Sequence, residues 1–214
     1  SSEIKKAFPA CADNHHILPV GFNKEFLNIQ HKENKKYDVI YSGNFSEWKG
    51  LDVLIKAVSI IKHQYQRDIK AVLIGANDQT KGQYENQAKE LDVFDNIEIV
   101  KRVEHKKIYD YIAQSKVGVL SNKYDADGLL FTSPLKLYEY LGSGLKVVVS
   151  RLPSIESNIN ESLVYYATPE KPESFAKEVI RALDDDSFDI DKVKKFSKNY
   201  TWESRSKSFV EFIS

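Results

Sequence analysis

The 214 residues carry 31 basic and 31 acidic side chains, and this zero formal net charge excludes a protein held to nucleic acid or an anionic membrane by bulk electrostatics. A single cysteine, Cys11, rules out a disulfide scaffold and fits a reducing compartment. No apolar run approaches the roughly 20 residues that span a bilayer and no signal-peptide pattern is present, while the lack of methionine sets the expectation that the chain is a piece of something longer.

Residues 1–36 read apart from the rest. Ser1 to Phe8 suits a helix end, Ile17 to Phe22 is a short apolar segment, and Gln30 to Lys36 is a polar bridge. From residue 37 onward, β-branched runs alternate with amphipathic stretches. Strands are predicted at Asp38 to Ser42, Ile69 to Ile74, Ile97 to Val100, Val117 to Leu120, Leu145 to Val149 and Leu163 to Tyr166. Helices are predicted at Lys49 to His63, Lys81 to Leu91, His105 to Gln114, Pro134 to Leu141, Pro172 to Leu183, Asp191 to Ser197 and Trp202 to Phe212. Most of the strands lack polar/apolar alternation, the mark of strands covered on both faces. The succession predicts an α/β fold: a doubly wound, mostly parallel, six-stranded sheet with helices on both faces.

In such sheets ligands bind outside the carboxyl ends of the strands, so the segments that follow the strands carry the functional information. After the first strand, Gly43 permits close backbone approach, and Lys49 stands at the start of the next predicted helix. A lysine there opposes the macrodipole at a cost of a few tenths to about 1 kcal/mol, which an anion would offset; a solvated surface lysine is the alternative. Gly75 to Asp78 reads as a tight turn, and Lys101 to Glu104 as either a polar turn or a ligand loop. Ser121 to Thr132 is long for a strand-to-helix connection, which suggests function. Within it, Asp125-Ala126-Asp127 is most simply a solvated turn.

Ser133 to Ser150 is the most informative stretch. Ser133 is a natural N-cap, Pro134 fits the first helical position, and Gly142 or Gly144 can supply the left-handed stop. A helix mouth suits phosphate, and Glu139, about one turn behind it, can accept from two sugar hydroxyls at once. A phosphate beside a ribose outlines a nucleotide. The alternative is an ordinary amphipathic helix with Glu139 paired to Lys136. Near the end, Thr201 can cap the last helix and Trp202 is expected to pack inward. Asp184 to Asp186 reads as a solvated helix end, and the five histidines show no metal-ligand spacing, so no metal is assigned.

These segments resemble, in order, the motifs of the C-terminal, donor-binding domain of retaining GT-B glycosyltransferases of the family-four (group 1) type. Pro19-Val20-Gly21-Phe22-Asn23, with Phe26, resembles the family's interdomain crossover; Lys49-Gly50 resembles its phosphate loop; Asn199 to Arg205 resembles its closing helix. The resemblance implies that residues 1–36 end an N-terminal domain and cross over, and that residues 37–214 form a Rossmann-like nucleotide-sugar domain, half of a GT-B fold. It implies a hexose moved from a UDP- or GDP-sugar to an acceptor hydroxyl, with no cofactor beyond the donor. Lys49 would stabilise the departing diphosphate and Glu139 would hold ribose. Gly43 and Asn44 would lie at the phosphates and Arg102 and Val103 at the nucleobase. Ser133 and Leu135 backbone would meet the diphosphate, with Pro134 between them unable to donate. Two positions depart from the pattern: Asn44 stands where the family commonly has Arg, and Phe131 where many members have a second Glu, eight positions before Glu139. The Ser-Pro-x-Lys form at Ser133 to Lys136 matches a variant of the motif. The implied partner is an N-terminal acceptor-binding domain of the same protein, without which the fragment transfers little. The implied setting is cell-surface polysaccharide, glycolipid or glycoprotein synthesis in the cytoplasm or at the inner membrane face, with peripheral membrane association of the full-length enzyme and no nucleic acid. Two other readings stay open: half of a non-hydrolysing sugar-nucleotide epimerase, or a non-catalytic module of the same fold.

Overall fold

The computed structural model describes residues 20–124 and 135–213. Strands β1 (Tyr37–Ser42), β2 (Ala71–Ala76), β3 (Ile97–Lys101), β4 (Ser115–Leu120), β5 (Lys146–Ser150) and β6 (Tyr165–Ala167) pair in the order β3-β2-β1-β4-β5-β6. Every pairing is parallel, with Val39 opposite both Ala71 and Val117 at the centre. The predicted six-stranded doubly wound sheet is therefore present, and its strands lie within two residues of their expected bounds. The chain winds outward from β1 to β3, then returns beside β1 as β4. The connections on either side of β1 and β4 thus part and leave a crevice at their carboxyl ends.

Burial on both faces explains the unbroken apolar strands. Val39, Tyr41, Leu73, Val117 and Val148 pack with α1 (Leu51–His63), α2 (Asp78–Glu90) and α6 (Pro172–Asp184). Their neighbours Ile40, Val72, Leu120, Val147 and Val149 pack with α3 (His105–Ala113), α4 (Leu135–Ser143) and α7 (Ile190–Ser197). A short helix α5 (Pro153–Glu156), not anticipated, follows β5, and α8 (Trp202–Ile213) ends the described chain. Phe22 and Phe26 are buried on the second face, with Phe22 hydrogen-bonded to the main chain at Tyr200 and Trp202. At the far edge Lys35 Nζ donates to Ala113 O (2.9 Å) and lies 2.7 Å from His31 Nδ1, whose own Nε2 is 2.7 Å from Ser143 O. This chain of contacts gives the C-terminal carbonyls of α3 and α4 cationic or N–H partners, as the helix dipole favours.

Several local expectations are corrected. The helix predicted from Lys49 begins at Leu51, because Gly50 takes a left-handed conformation (φ 65°, ψ 34°) between it and a 3-10 turn over Glu47–Lys49. The helix predicted from Lys81 begins at Asp78, set by a capping box in which Asn77 and Thr80 satisfy each other's backbone N–H. Gly142 lies inside α4, where a Cβ would come within 2.6 Å of the Phe22 ring, and Gly144 (φ +84°) supplies the stop. Trp202 is 54% exposed instead of packed inward: its ring covers main chain at Gly21, where a Cβ would meet Trp202 Cε3 at 2.7 Å. Thr201 does cap α8, accepting from Ser204 N at 3.2 Å. Cys11, Pro19 and the Ser1 to Phe8 helix lie outside the described residues.

One packing detail fixes the crevice. The Tyr140 ring, fully buried, crosses β4 at Gly118, and its hydroxyl accepts from Ser42 N (2.8 Å) and lies 3.1 Å from Ser42 Oγ. A Cβ on Gly118 would sit 2.4 Å from Tyr140 Cδ2 and 2.9 Å from Cε2, inside a core that cannot yield. Gly118→Ala should therefore lower stability by about 1–3 kcal/mol through overpacking, measured by denaturant unfolding.

Candidate functional site

The crevice is built first from backbone. Gly43 N donates to Ile74 O (2.9 Å), and Tyr41 folds under the turn with its hydroxyl on Asn44 O (2.6 Å). Gly75, at φ +121°, brings its α-carbon so near Gly43 O that a Cβ would lie 2.0 Å away. No other residue fits there. The loops after β1 and β2 thus touch through peptide groups. On β3's side, Arg102 N donates to Ala76 O (3.1 Å), which fixes the next loop against them.

Between these loops and α4 lies a cleft of about 470 Å³. Four residues expected at a donor site, Gly43, Asn44, Arg102 and Val103, line it together. Two residues to which no ligand role was assigned, His105 and Lys136, join them. Arg102 and Asn44 are exposed at the rim, while Val103 is half-buried. The Asn44 side-chain oxygen accepts from Ser46 Oγ (2.9 Å), which orients the amide.

Glu139 stands behind this wall, 2% exposed. Lys136 Nζ is 2.6 Å from Oε2, and His105 Nε2 is 3.9 Å from Oε1. The ion pair that the sequence offered as an alternative is thus formed, yet it does not exhaust the carboxylate. The ammonium lies off the hydrogen-bonding direction, and buried Oε2 has no hydrogen-bond partner among the described residues. The lysine offsets charge; the lone pairs remain open. An ionised carboxylate can accept at several lone pairs, so beside this ion pair it keeps capacity for a ligand's hydroxyl.

Lys49 is placed differently from the expectation. It is not among the residues lining the cleft, and because the helix starts at Leu51 it does not face the macrodipole as a first-turn residue. Its Nζ lies 3.6 Å from the centroid of the Trp48 ring. No carboxylate pairs with it among the described residues. Burial, and secondly the neighbouring Lys136 charge, pull its pKa down to about 8. The turn that carries it is pinned to the end of β4: Lys123 N donates to Trp48 O (2.8 Å) and Ser121 Oγ to Lys49 O (3.0 Å). Gly50 packs on the Ser121 carbonyl, where a Cβ would lie 2.0 Å from the oxygen. The Lys49-Gly50 pair is therefore one unit, a glycine that permits the close approach and a lysine it aims.

Ser133, Pro134, Phe131 and Asp125 to Asp127 lie outside the described residues, and Leu135, the first described residue of α4, is exposed at its start. Among the described residues no three His, Cys, Asp or Glu side chains gather as metal ligands, and no helix is long and apolar enough to cross a membrane.

Residues 23–201 match the sequence family described as "Glycosyl transferases group 1". No curated protein matches the chain. Among solved structures, HepE of Anabaena in complex with UDP is 15% identical with a TM-score of 0.78 over 100% of this chain and 62% of that one. Sucrose-phosphate synthase of Thermosynechococcus elongatus is 16% identical with a TM-score of 0.77, over 100% of this chain and 56% of its own. The C-terminal domain of a glycosyl transferase group 1 family protein from Francisella tularensis is 16% identical with a TM-score of 0.59, over 88% of this chain and 98% of that one. The chain thus spans about three-fifths of the two longer structures, and the shared architecture is the Rossmann-like half of a GT-B fold.

The depressed pKa of Lys49 has a stability consequence of definite sign. Below about pH 8 the ammonium is charged in both folded and unfolded chains, and its poor solvation in the fold weakens stability in full. The penalty fades as pH rises from there toward the ordinary lysine value of 10.5, above which both states are neutral. Lys49→Met should accordingly stabilise the fold at pH 6–7, by about 1 kcal/mol after solvent screening, and lose that gain near pH 11, as followed by denaturant unfolding.

Proposed function

The chain belongs to the group 1 glycosyl transferases, and on that premise we propose that residues 37–214 bind the nucleotide-sugar donor of a retaining enzyme that transfers a hexose to an acceptor hydroxyl. The observation that carries the reading is Glu139: a buried carboxylate, charge-compensated by Lys136 on one side, with acceptor capacity still open beside the cleft. Two ribose hydroxyls can donate to its two oxygens, which orients the donor without making Glu139 an acid or base. Gly43, Asn44, Arg102 and Val103 line the cleft together, and the reading assigns Arg102 and Val103 to the nucleobase and Gly43 and Asn44 to the phosphates. UDP is the first nucleotide to test, since the Anabaena relative was solved with UDP, and with UDP and glucose; GDP is the second.

As the glycosidic bond to the diphosphate lengthens, negative charge grows on the leaving β-phosphate. The Lys49 ammonium, delivered from the turn after β1, and the N–H groups at the start of α4 are the groups assigned to meet it. The resemblance assigns this role to the backbone of Ser133 and Leu135; Pro134 has no N–H to give. The reading needs no cofactor beyond the donor and no metal. The acceptor is assigned to an N-terminal domain of the same protein joined through residues 1–36, so the present chain by itself should bind donor and transfer little. Cell-surface polysaccharide, glycolipid or glycoprotein assembly at the cytoplasmic membrane face is the setting that goes with it.

Calorimetry with UDP, GDP and ADP tests the reading. One of the first two should bind, and Glu139→Gln should weaken that nucleotide by about tenfold to a hundredfold, the worth of a hydrogen bond to a charged group. Inorganic pyrophosphate, which lacks ribose, should show no such loss. Equal binding of the nucleotide by wild type and Glu139→Gln overturns the assignment.

A further inference from the structure

Lys49 presents a question that the proposed function leaves open. A lysine destined for a diphosphate would be expected in the cleft, but here its ammonium rests over the face of the preceding residue, 3.6 Å from the Trp48 ring centroid. Neighbours in sequence do not ordinarily face one another. They do so here on a 3-10 turn, Glu47–Lys49, whose carbonyls Trp48 O and Lys49 O are held by β4-end donors, Lys123 N and Ser121 Oγ. The main chain beneath the contact is thus held by the frame of the crevice.

The charges around it leave the ring as the group that attracts the ammonium. Lys136, from α4, repels it and is itself engaged with Glu139. Asp52, from α1, is paired with Lys123 at 3.0 Å. Glu47, on the same turn, is exposed and has no ion pair with Lys49 among the described residues. An indole face attracts a partly desolvated cation more strongly than it would in open water, yet far less than the doubly charged oxygens of a diphosphate. Such a contact holds a charge in place and still yields it.

Building on the donor-binding reading, we propose that Trp48 is a positioning residue: its indole face carries the Lys49 ammonium beside the cleft and surrenders it to the diphosphate of the sugar nucleotide. The ring restrains a long side chain that would otherwise sample solvent, so part of its ordering is done before the donor arrives. It also favours the protonated form against burial and Lys136, keeping the cation available at neutral pH. A role of this kind depends on the face of the ring. A hydrophobic plug would do equally well as leucine.

The test has two arms. In the first, the Lys49 Cε resonance, assigned with Lys49→Arg, is titrated against pH by NMR in wild type, Trp48→Phe and Trp48→Leu. The midpoint should fall in the order Trp, Phe, Leu, with Trp48→Leu lower by about half a pH unit or more. Coincident midpoints in the three folded proteins overturn the proposal, whether or not UDP binds. In the second arm, UDP is added to Trp202→Phe, in which Trp48 is the one remaining indole. Its emission should change, saturating at the concentrations seen by calorimetry, and Lys49→Met should abolish the change. Binding heat with constant emission overturns the handover alone. No binding heat with any nucleotide overturns the donor reading and the handover with it, while the first arm still reports on the ring contact.

Discussion

The hydroxyl of Tyr140 reaches from the middle of α4 to the end of β1, where Ser42 N donates to it across 2.8 Å, and the geometry of the crevice follows from that link. The helix carries Lys136 and Glu139; the strand end carries Gly43 and the turn to Lys49. Without a fixed distance between them the carboxylate and the loop after β1 would be independent features. The link exists because β4 has Gly118 where the ring must cross, so a missing side chain in one strand sets the spacing of two neighbouring elements. Buried and hydrogen-bonded, the phenol is a rigid spacer, with its ionisation pushed far upward by burial.

The charges of the site are balanced incompletely. Two lysines and one buried carboxylate share a small volume, and the carboxylate neutralises just one of them directly. The other, Lys49, is tolerated by cation–π contact and residual solvent. Such an arrangement weakens the fold slightly and is stabilising only when an anion is present, the usual direction of the trade between stability and function. His105, at the start of α3, lies 3.9 Å from the other carboxylate oxygen, Oε1, too far for a hydrogen bond.

What the sequence disclosed, and what it withheld, divides by range. Runs such as Val147 to Val149 are β-branched and apolar on both sides, and they located the strands because nothing distant competes with that pattern. The helix boundary at Gly50 was missed because its left-handed backbone is justified by the carbonyl of Ser121, seventy-one positions away in the chain. The boundary at Asp78 was missed for a poorer reason, since Asn77 and Thr80 form a capping box that is local and readable. At the site, Gly43, Asn44, Arg102 and Val103 were singled out by the family resemblance together with their place after strands, and the structure gathers them at one cleft. Trp48 and His105 were not, because neither residue type nor spacing tells that a ring will face an ammonium or an imidazole a carboxylate. Trp202 misled because an indole can cover main chain at a rim as well as enter a core.

The peptide-on-peptide contact of Gly43 with Gly75 has a consequence for how this pocket can diverge. Its floor is main chain, identical in chemistry whatever the neighbouring sequence, and any side chain added there would break the turn. Variation falls to the rim, at Asn44, Arg102 and Val103 on the loops and at His105 where α3 begins. One scaffold can therefore be refitted to a new ligand by editing a few peripheral positions while its main-chain floor stays untouched.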